Sequence, residues 1–148
     1  MTAHPKVTLV TCQSMPNLFK GEEGLLDELA ARGCDPQVKV WNDPDVDWSE
    51  AGMVVVRSVS DYASDRPAFL EWTKQLSRVQ NSVDVLNWNT DKHYLKDLAA
   101  LGMPTIPTNW LEPEQNLSKH QIHTRFPAFG EFVVKPAVSS GVRDIGRY

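Results

Sequence analysis

Apolar residues fall along this chain in short runs separated by turn signals. Val7-Thr8-Leu9-Val10 is apolar enough on both faces to predict a buried first strand. Val38-Lys39-Val40-Trp41 alternates, as a strand with one covered face does, and Asn42-Asp43-Pro44 turns out of it. Met53-Val54-Val55-Val56 is the most strand-like run, apolar on both faces as a central parallel strand should be. Between the first two runs, Leu25, Leu26, Leu29 and Ala30 form one helical face. Glu22 and Glu23 suit the positive end of that helix's dipole, and Gly33 stops it. Residues 11–21 contain Pro16 and no helical period, so they read as a loop. Pro67 opens a second helix with Phe69, Leu70, Thr73, Leu76 and Val79 on one face. Val83-Asp84-Val85-Leu86 is predicted as a fourth strand.

This alternation predicts an open α/β domain with a parallel sheet. Ligands of such sheets gather at the carboxyl ends of the strands. Those ends carry Thr11-Cys12, Asn42-Asp43, Arg57-Ser58 with Ser60 and Asp61 just beyond, and Asn87-Trp88-Asn89.

A domain boundary is expected near Asn87, dividing residues 1–87 from residues 88–148. Asn89 or Thr90 would cap a helix striped with Tyr94, Leu95, Leu98 and Ala99 and closed by Gly102 and Pro104. Residues 105–108 read as a short extended segment. Residues 109–127 are mostly polar, with one helical turn around residues 117–122. Residues 131–134 then form a strand leading into Lys135-Pro136 and the small-residue stretch Ala137-Val138-Ser139-Ser140-Gly141, and residues 142–148 return as a second strand. Lys135 reads in two ways. It is a phosphate clamp facing the hydroxyl and N–H donors of the loop, or an outward lysine on a surface hairpin.

The length of 148 residues is enough to bury a core, and 41% hydrophobic with 23% charged residues is an ordinary globular balance. The formal net charge of -4 leaves no basic footprint and argues against nucleic acid as a partner. With no apolar run long enough to span a bilayer and no leader, a cytoplasmic protein without a membrane partner is expected. Cys12 and Cys34 do not make a disulfide framework and are expected as thiols. No Gly-x-Gly-x-x-Gly follows a strand and no Walker P-loop occurs, which disfavours a nicotinamide Rossmann domain and a P-loop enzyme. His120 and His123 share a helical spacing, but no third metal ligand lies near in sequence. Asp43, Asp45 and Asp47 lack the glycine and distal glutamate of a calcium loop and read as a solvated acidic loop. Most of the five tryptophans are expected in packing.

Three pieces occur in a telling order: Trp88-Asn89-Thr90-Asp91-Lys92 with Tyr94-Leu95, then Leu101-Gly102-Met103-Pro104-Thr105-Ile106-Pro107-Thr108, then Phe132-Val133-Val134-Lys135-Pro136. Together they resemble the ATP-grasp superfamily, and more closely its glutathione-synthetase-like branch, which takes in bacterial ligases such as the one that closes D-cycloserine. The resemblance covers nearly the whole chain. It implies a pre-ATP-grasp α/β domain followed by the beginning of an α+β ATP-grasp subdomain. It further implies that Lys92 and Lys135 reach the phosphates of ATP and that Ser139, Ser140 and Gly141 lie in the flexible loop closing over them. The implied chemistry is ATP-dependent activation of a small carboxylate as an acyl phosphate, which an amine or other nucleophile then attacks. Substrate contacts would fall to Arg57, Ser58, Asp61 and Cys12 at the strand ends.

Two departures accompany the resemblance. The family's Thr-Trp before Asp-Tyr is Val59-Ser60 here, which takes an indole out of that loop. The family's magnesium-binding carboxylates and asparagine belong to a later half-domain, so the chain is expected to be the N-terminal portion of a longer enzyme that uses ATP and Mg2+, without metal ligands of its own. The other reading of the residues is a non-catalytic α/β module that holds a small ligand or a partner at its strand ends. Sequence past Tyr148 with an Asp…Glu-x-Asn arrangement would favour the ligase. Self-association is left open.

Overall fold

The structure, a computed structural model, describes residues 4–141 and 143–148. The chain divides into two compact units, Met1–Asp91 and Lys92–Tyr148. Val142, with which the last strand was expected to begin, lies outside the described residues.

The first unit runs β1 (Lys6–Thr11), α1 (Gly24–Ala31), β2 (Asp35–Val40), β3 (Met53–Ser58), α2 (Arg66–Thr73), β4 (Val79–Gln80) and α3 (Val83–Asn89). The sheet order is β2-β1-β3-β4, and every pairing is parallel. The expected α/β class with a parallel sheet is borne out. Residues 53–56 sit inside the sheet, parallel to β1, as their two-sided apolarity required. β1 is the most enclosed strand, with Thr8, Val10 and Thr11 completely buried. Buried hydroxyls need partners. Thr8 donates to the Ala51 carbonyl at 2.6 Å, and Thr11 donates to the Met15 carbonyl. Gly52 opens β3 with φ +68, and a Cβ there would stand 2.3 Å from the Lys6 carbonyl oxygen, so only glycine lets β3 approach β1 at this point.

One side of the sheet is sealed by aromatic rings. Trp41, Trp48, Phe69 and Trp72 are all buried. Trp48 meets Trp72 edge-on at 5.0 Å, and Trp41 meets Phe69 at 5.5 Å and 83°. Such pairs add modestly to the much larger gain from burying the rings. Trp88, by contrast, is exposed on α3.

Residues 83–86 are not the fourth strand; they open α3. Ser82 caps them, its hydroxyl accepting from the Val85 amide, and Leu86 and Thr90 bury one helical face. The fourth strand is the two-residue β4, so Val79 pairs with Val54 instead of extending the α2 face. Asn87-Trp88-Asn89 therefore closes a helix and stands at no strand end. Arg66 of α2 fixes that helix end, donating to the Asn87 carbonyl at 2.6 Å and the Thr90 hydroxyl at 2.9 Å. Thr90 turns its own hydroxyl back to the Leu86 carbonyl, so neither it nor Asn89 caps the next helix.

The second unit holds α4 (Tyr94–Ala100), α5 (Lys119–His123), β5 (Val133–Val134) and β6 (Gly146–Arg147), the last two antiparallel. Phe132 and Tyr148 continue that pairing through two backbone hydrogen bonds of 3.0 and 2.9 Å, with their rings stacked. None of this unit's described residues is fully buried. Leu101, Ile106 and Phe129 are 79%, 82% and 93% exposed. Among the described residues of the whole chain, no helix is long and apolar enough to cross a membrane.

Phe69 is 1% exposed and touches three other rings, so Phe69→Ala is expected to cost about 3–5 kcal/mol. Urea unfolding followed by tryptophan fluorescence measures it, and a loss under about 1 kcal/mol would contradict an aromatic core.

Candidate functional site

Two clusters of chemically able side chains stand out, one in each unit. In the first unit the strand order reverses between β1 and β3, the place where open α/β sheets leave a crevice at their carboxyl ends. Cys12 leaves β1 there. Its sulfur lies 3.2 Å from the Ser14 hydroxyl and 3.7 Å from that of Ser60. Burial and the nearby Asp61 carboxylate push the thiol up, but the hydrogen bonds from Ser14 and from the Ser60 backbone and hydroxyl outweigh them and hold it below its ordinary value. Asp61 opens a short 3-10 turn, Asp61–Ser64, and accepts a 2.8 Å hydrogen bond from the Trp41 indole. The core ring thus orients a carboxylate beside the thiol.

Arg57 and Ser58 come from the end of β3, where the register slips: Val10 pairs with Val56, but Thr11 pairs with Ser58. Arg57 is the extra residue of this bulge, and bulges re-aim side chains. Its guanidinium pairs with Glu22. The Ser58 hydroxyl donates to the same carboxylate at 2.5 Å and accepts from the Phe19 amide at 3.0 Å. The Ser58 hydrogen bond, with the Arg57 bond and charge, holds the Glu22 carboxyl below its ordinary 4.5 against the opposing pull of burial. Sequence reasoning missed Glu22, reading it only as an acid near a helix start. Its partners lie 35 and 36 residues away, and no local signal points to them.

In the second unit, Lys92 precedes α4 and is bound into the small-residue loop. Its backbone N–H donates to the Ala137 carbonyl at 2.9 Å. Its ammonium donates to the Ser139 hydroxyl at 2.6 Å and to the Ser139 carbonyl at 3.1 Å. Ser140 is half-buried next along the loop, and Gly141 takes a left-handed φ of +65. Lys135 stands exposed just past β5. The start of α4 is fixed by His93, which stacks on Trp110 at 4.5 Å and pairs with Glu112 at 3.1 Å, while Lys96 also bonds to Glu112. Among the described residues no three His, Cys, Asp or Glu side chains come together as a metal site. His120 and His123 are exposed on α5.

The first unit is thus an open parallel α/β domain that presents a thiol, a carboxylate, an arginine and hydroxyls at its topological switch point. Residues 7–87 match the family model described as D-cycloserine synthetase DcsG, N-terminal domain, and the chain belongs to that family. It is similar to the cycloserine biosynthesis protein DcsG of Streptomyces lavendulae, with 34% identity over 129 residues, covering 84% of this chain and 43% of that protein. It is also similar to the crystal structure of D-cycloserine synthetase DcsG, with a TM-score of 0.82 and 32% identity over 96% of this chain and 50% of that one. The resemblance drawn from the three sequence pieces is therefore borne out. The chain spans about half the length of these relatives.

A depressed carboxyl pKa means the Glu22 contacts stabilise the loop fully above pH 4.5 and lose that contribution as pH falls through the lower folded value. The Phe19 amide, which donates to Ser58 and also contributes to holding the Glu22 carboxyl down, is expected to titrate with a midpoint below 4.5 in an NMR pH series. A midpoint at or above 4.5 would show that the contacts do not persist in solution.

Proposed function

We propose that this chain supplies the sheet domain and the first part of the nucleotide-binding domain of an ATP-dependent ligase. In this reading the enzyme joins a small carboxylate to an amine or related nucleophile through an acyl phosphate. The domain roles follow the same reading, with residues 1–87 as the pre-ATP-grasp domain and residues 88–148 as the opening of the grasp. The family membership and the biosynthetic synthetase among its relatives support a ligase class.

The observation that carries the phosphate assignment is the binding of the Lys92 ammonium into the Ala137 and Ser139 loop. A lysine amid hydroxyl and carbonyl oxygens is preorganised for anionic oxygens, because an entering phosphate replaces those weaker acceptors with a charged one. Lys92 would hold the phosphates from the helix side and Lys135 from the end of β5, with Ser139, Ser140 and Gly141 supplying hydroxyl and backbone donors. Phosphoryl transfer asks mainly for positioning and charge neutralisation, and two lysines contribute to both. Magnesium would supply further neutralisation in the complete enzyme. The described residues do not assemble a site for it. At the sheet, Arg57 and Ser58 would receive the substrate carboxylate, while Asp61 and Cys12 would line the same crevice.

Calorimetry with magnesium and ATP tests the reading. Lysines without the metal's own ligands bind weakly and with strong salt sensitivity. Residues 1–148 are therefore expected to bind ATP with Kd above about 100 μM, without hydrolysis, and Lys92→Ala or Lys135→Ala should weaken binding by about three- to ten-fold. Binding that neither variant changes would refute the lysine assignment.

A further inference from the structure

The loop between β1 and α1 is tied to the end of β3 by one chain of contacts: Arg57 to Glu22, Ser58 to Glu22, and Phe19 N–H to Ser58. Within the loop Leu18 is buried with φ 73, a left-handed backbone that a leucine adopts only when its surroundings impose it. Glu23, the neighbouring acid, is engaged elsewhere, accepting from the Gly21 amide at 2.7 Å. Glu22 is thus the carboxylate held by a guanidinium that a bulge has turned out of the strand ladder, beside the switch point where ligands of such sheets collect. A guanidinium fork does not distinguish a protein carboxylate from a ligand carboxylate of the same geometry.

We propose that Glu22 is a built-in stand-in for a ligand carboxylate. It occupies Arg57 when the crevice is empty. A small carboxylate entering at the ends of β1 and β3 displaces it, which frees Ser58 and loosens residues 13–21 from β3. The proposal rests on the reading of Arg57 as a carboxylate receptor and adds to it a competitor and a moving part. Both ion-pair partners keep some water access, with side chains 43% and 21% exposed, so exchange of one carboxylate for another needs no opening of the core. Because the Phe19 amide bonds to Ser58 and to the Glu22 carboxylate, displacement is transmitted from a side chain to the loop backbone.

An NMR titration of the 148-residue chain with sodium propionate tests this, following the Arg57 side-chain Nε–H and the Phe19 amide. In the unmodified protein both signals are expected to move together with one Kd. Removal of the competing charge in Glu22→Gln should tighten propionate by about two- to five-fold, the scale of a partly exposed ion pair. Arg57→Ala should abolish the response at Phe19. If Arg57 responds while Phe19 stays still and Glu22→Gln binds no more tightly, displacement is wrong and the receptor reading stands. If Arg57 does not respond in either protein, the receptor reading falls and this proposal with it. The unmodified protein alone decides between these outcomes should the glutamine variant fail to fold.

Discussion

The enclosure of β1 governs the first unit. Flanked by β2 and β3 and covered on both faces, it has no water to satisfy its polar groups, so each buried hydroxyl must find a protein acceptor. Thr8 does so on Ala51, just before β3, and Thr11 on Met15, in the loop that leaves β1 itself, so the two hydroxyls hold one segment at each end of the strand. The strand order then reverses across β1 and β3, the point at which sheets of this kind collect ligands. Cys12 stands just past β1, Ser58 is the last residue of β3 and Ser60 follows two residues on, so the two strands bring all three to that point.

The second unit obeys a different constraint. Its residues bury little, and large apolar side chains such as Ile106 and Phe129 face solvent. Order there comes from polar and stacking contacts: Lys92 in the residue 137–139 loop, Glu112 between His93 and Lys96, and the stacked rings of Phe126, Phe132 and Tyr148. Each such contact stabilises by about 1 kcal/mol, so the loop around Ser139 can exchange its hold on Lys92 for a ligand at small cost. That readiness suits the nucleotide site proposed there, whereas the Arg57 end of the first unit draws its firmness from the packed sheet beneath it.

Much of this was legible from residue pattern. Two-sided apolarity marked residues 7–10 and 53–56 as interior strands, and their carboxyl ends named Cys12, Arg57, Ser58 and Asp61. The segment at residues 83–86 misled because four residues of valine and leucine alternating once with aspartate fit a strand as well as a helix turn, and the Ser82 cap decided the matter. The bulge at Arg57 leaves no composition signal, since it is a slip of one residue between two otherwise regular strands. Glu22 was invisible as a site residue for the same reason: the fold brings it to Ser58 across 36 residues. The link between Lys92 and Ser139 spans 47 residues and was indicated only through resemblance to a family, never by local pattern.

Lys92 and Lys135 are proposed to receive phosphate oxygens. Phosphorus NMR of ATP with magnesium, recorded with and without the chain, addresses it directly. The β- and γ-phosphate resonances are expected to broaden on addition of the protein, and the broadening to shrink with Lys92→Ala and with Lys135→Ala. Unchanged phosphate resonances, or broadening that survives both substitutions, would contradict it.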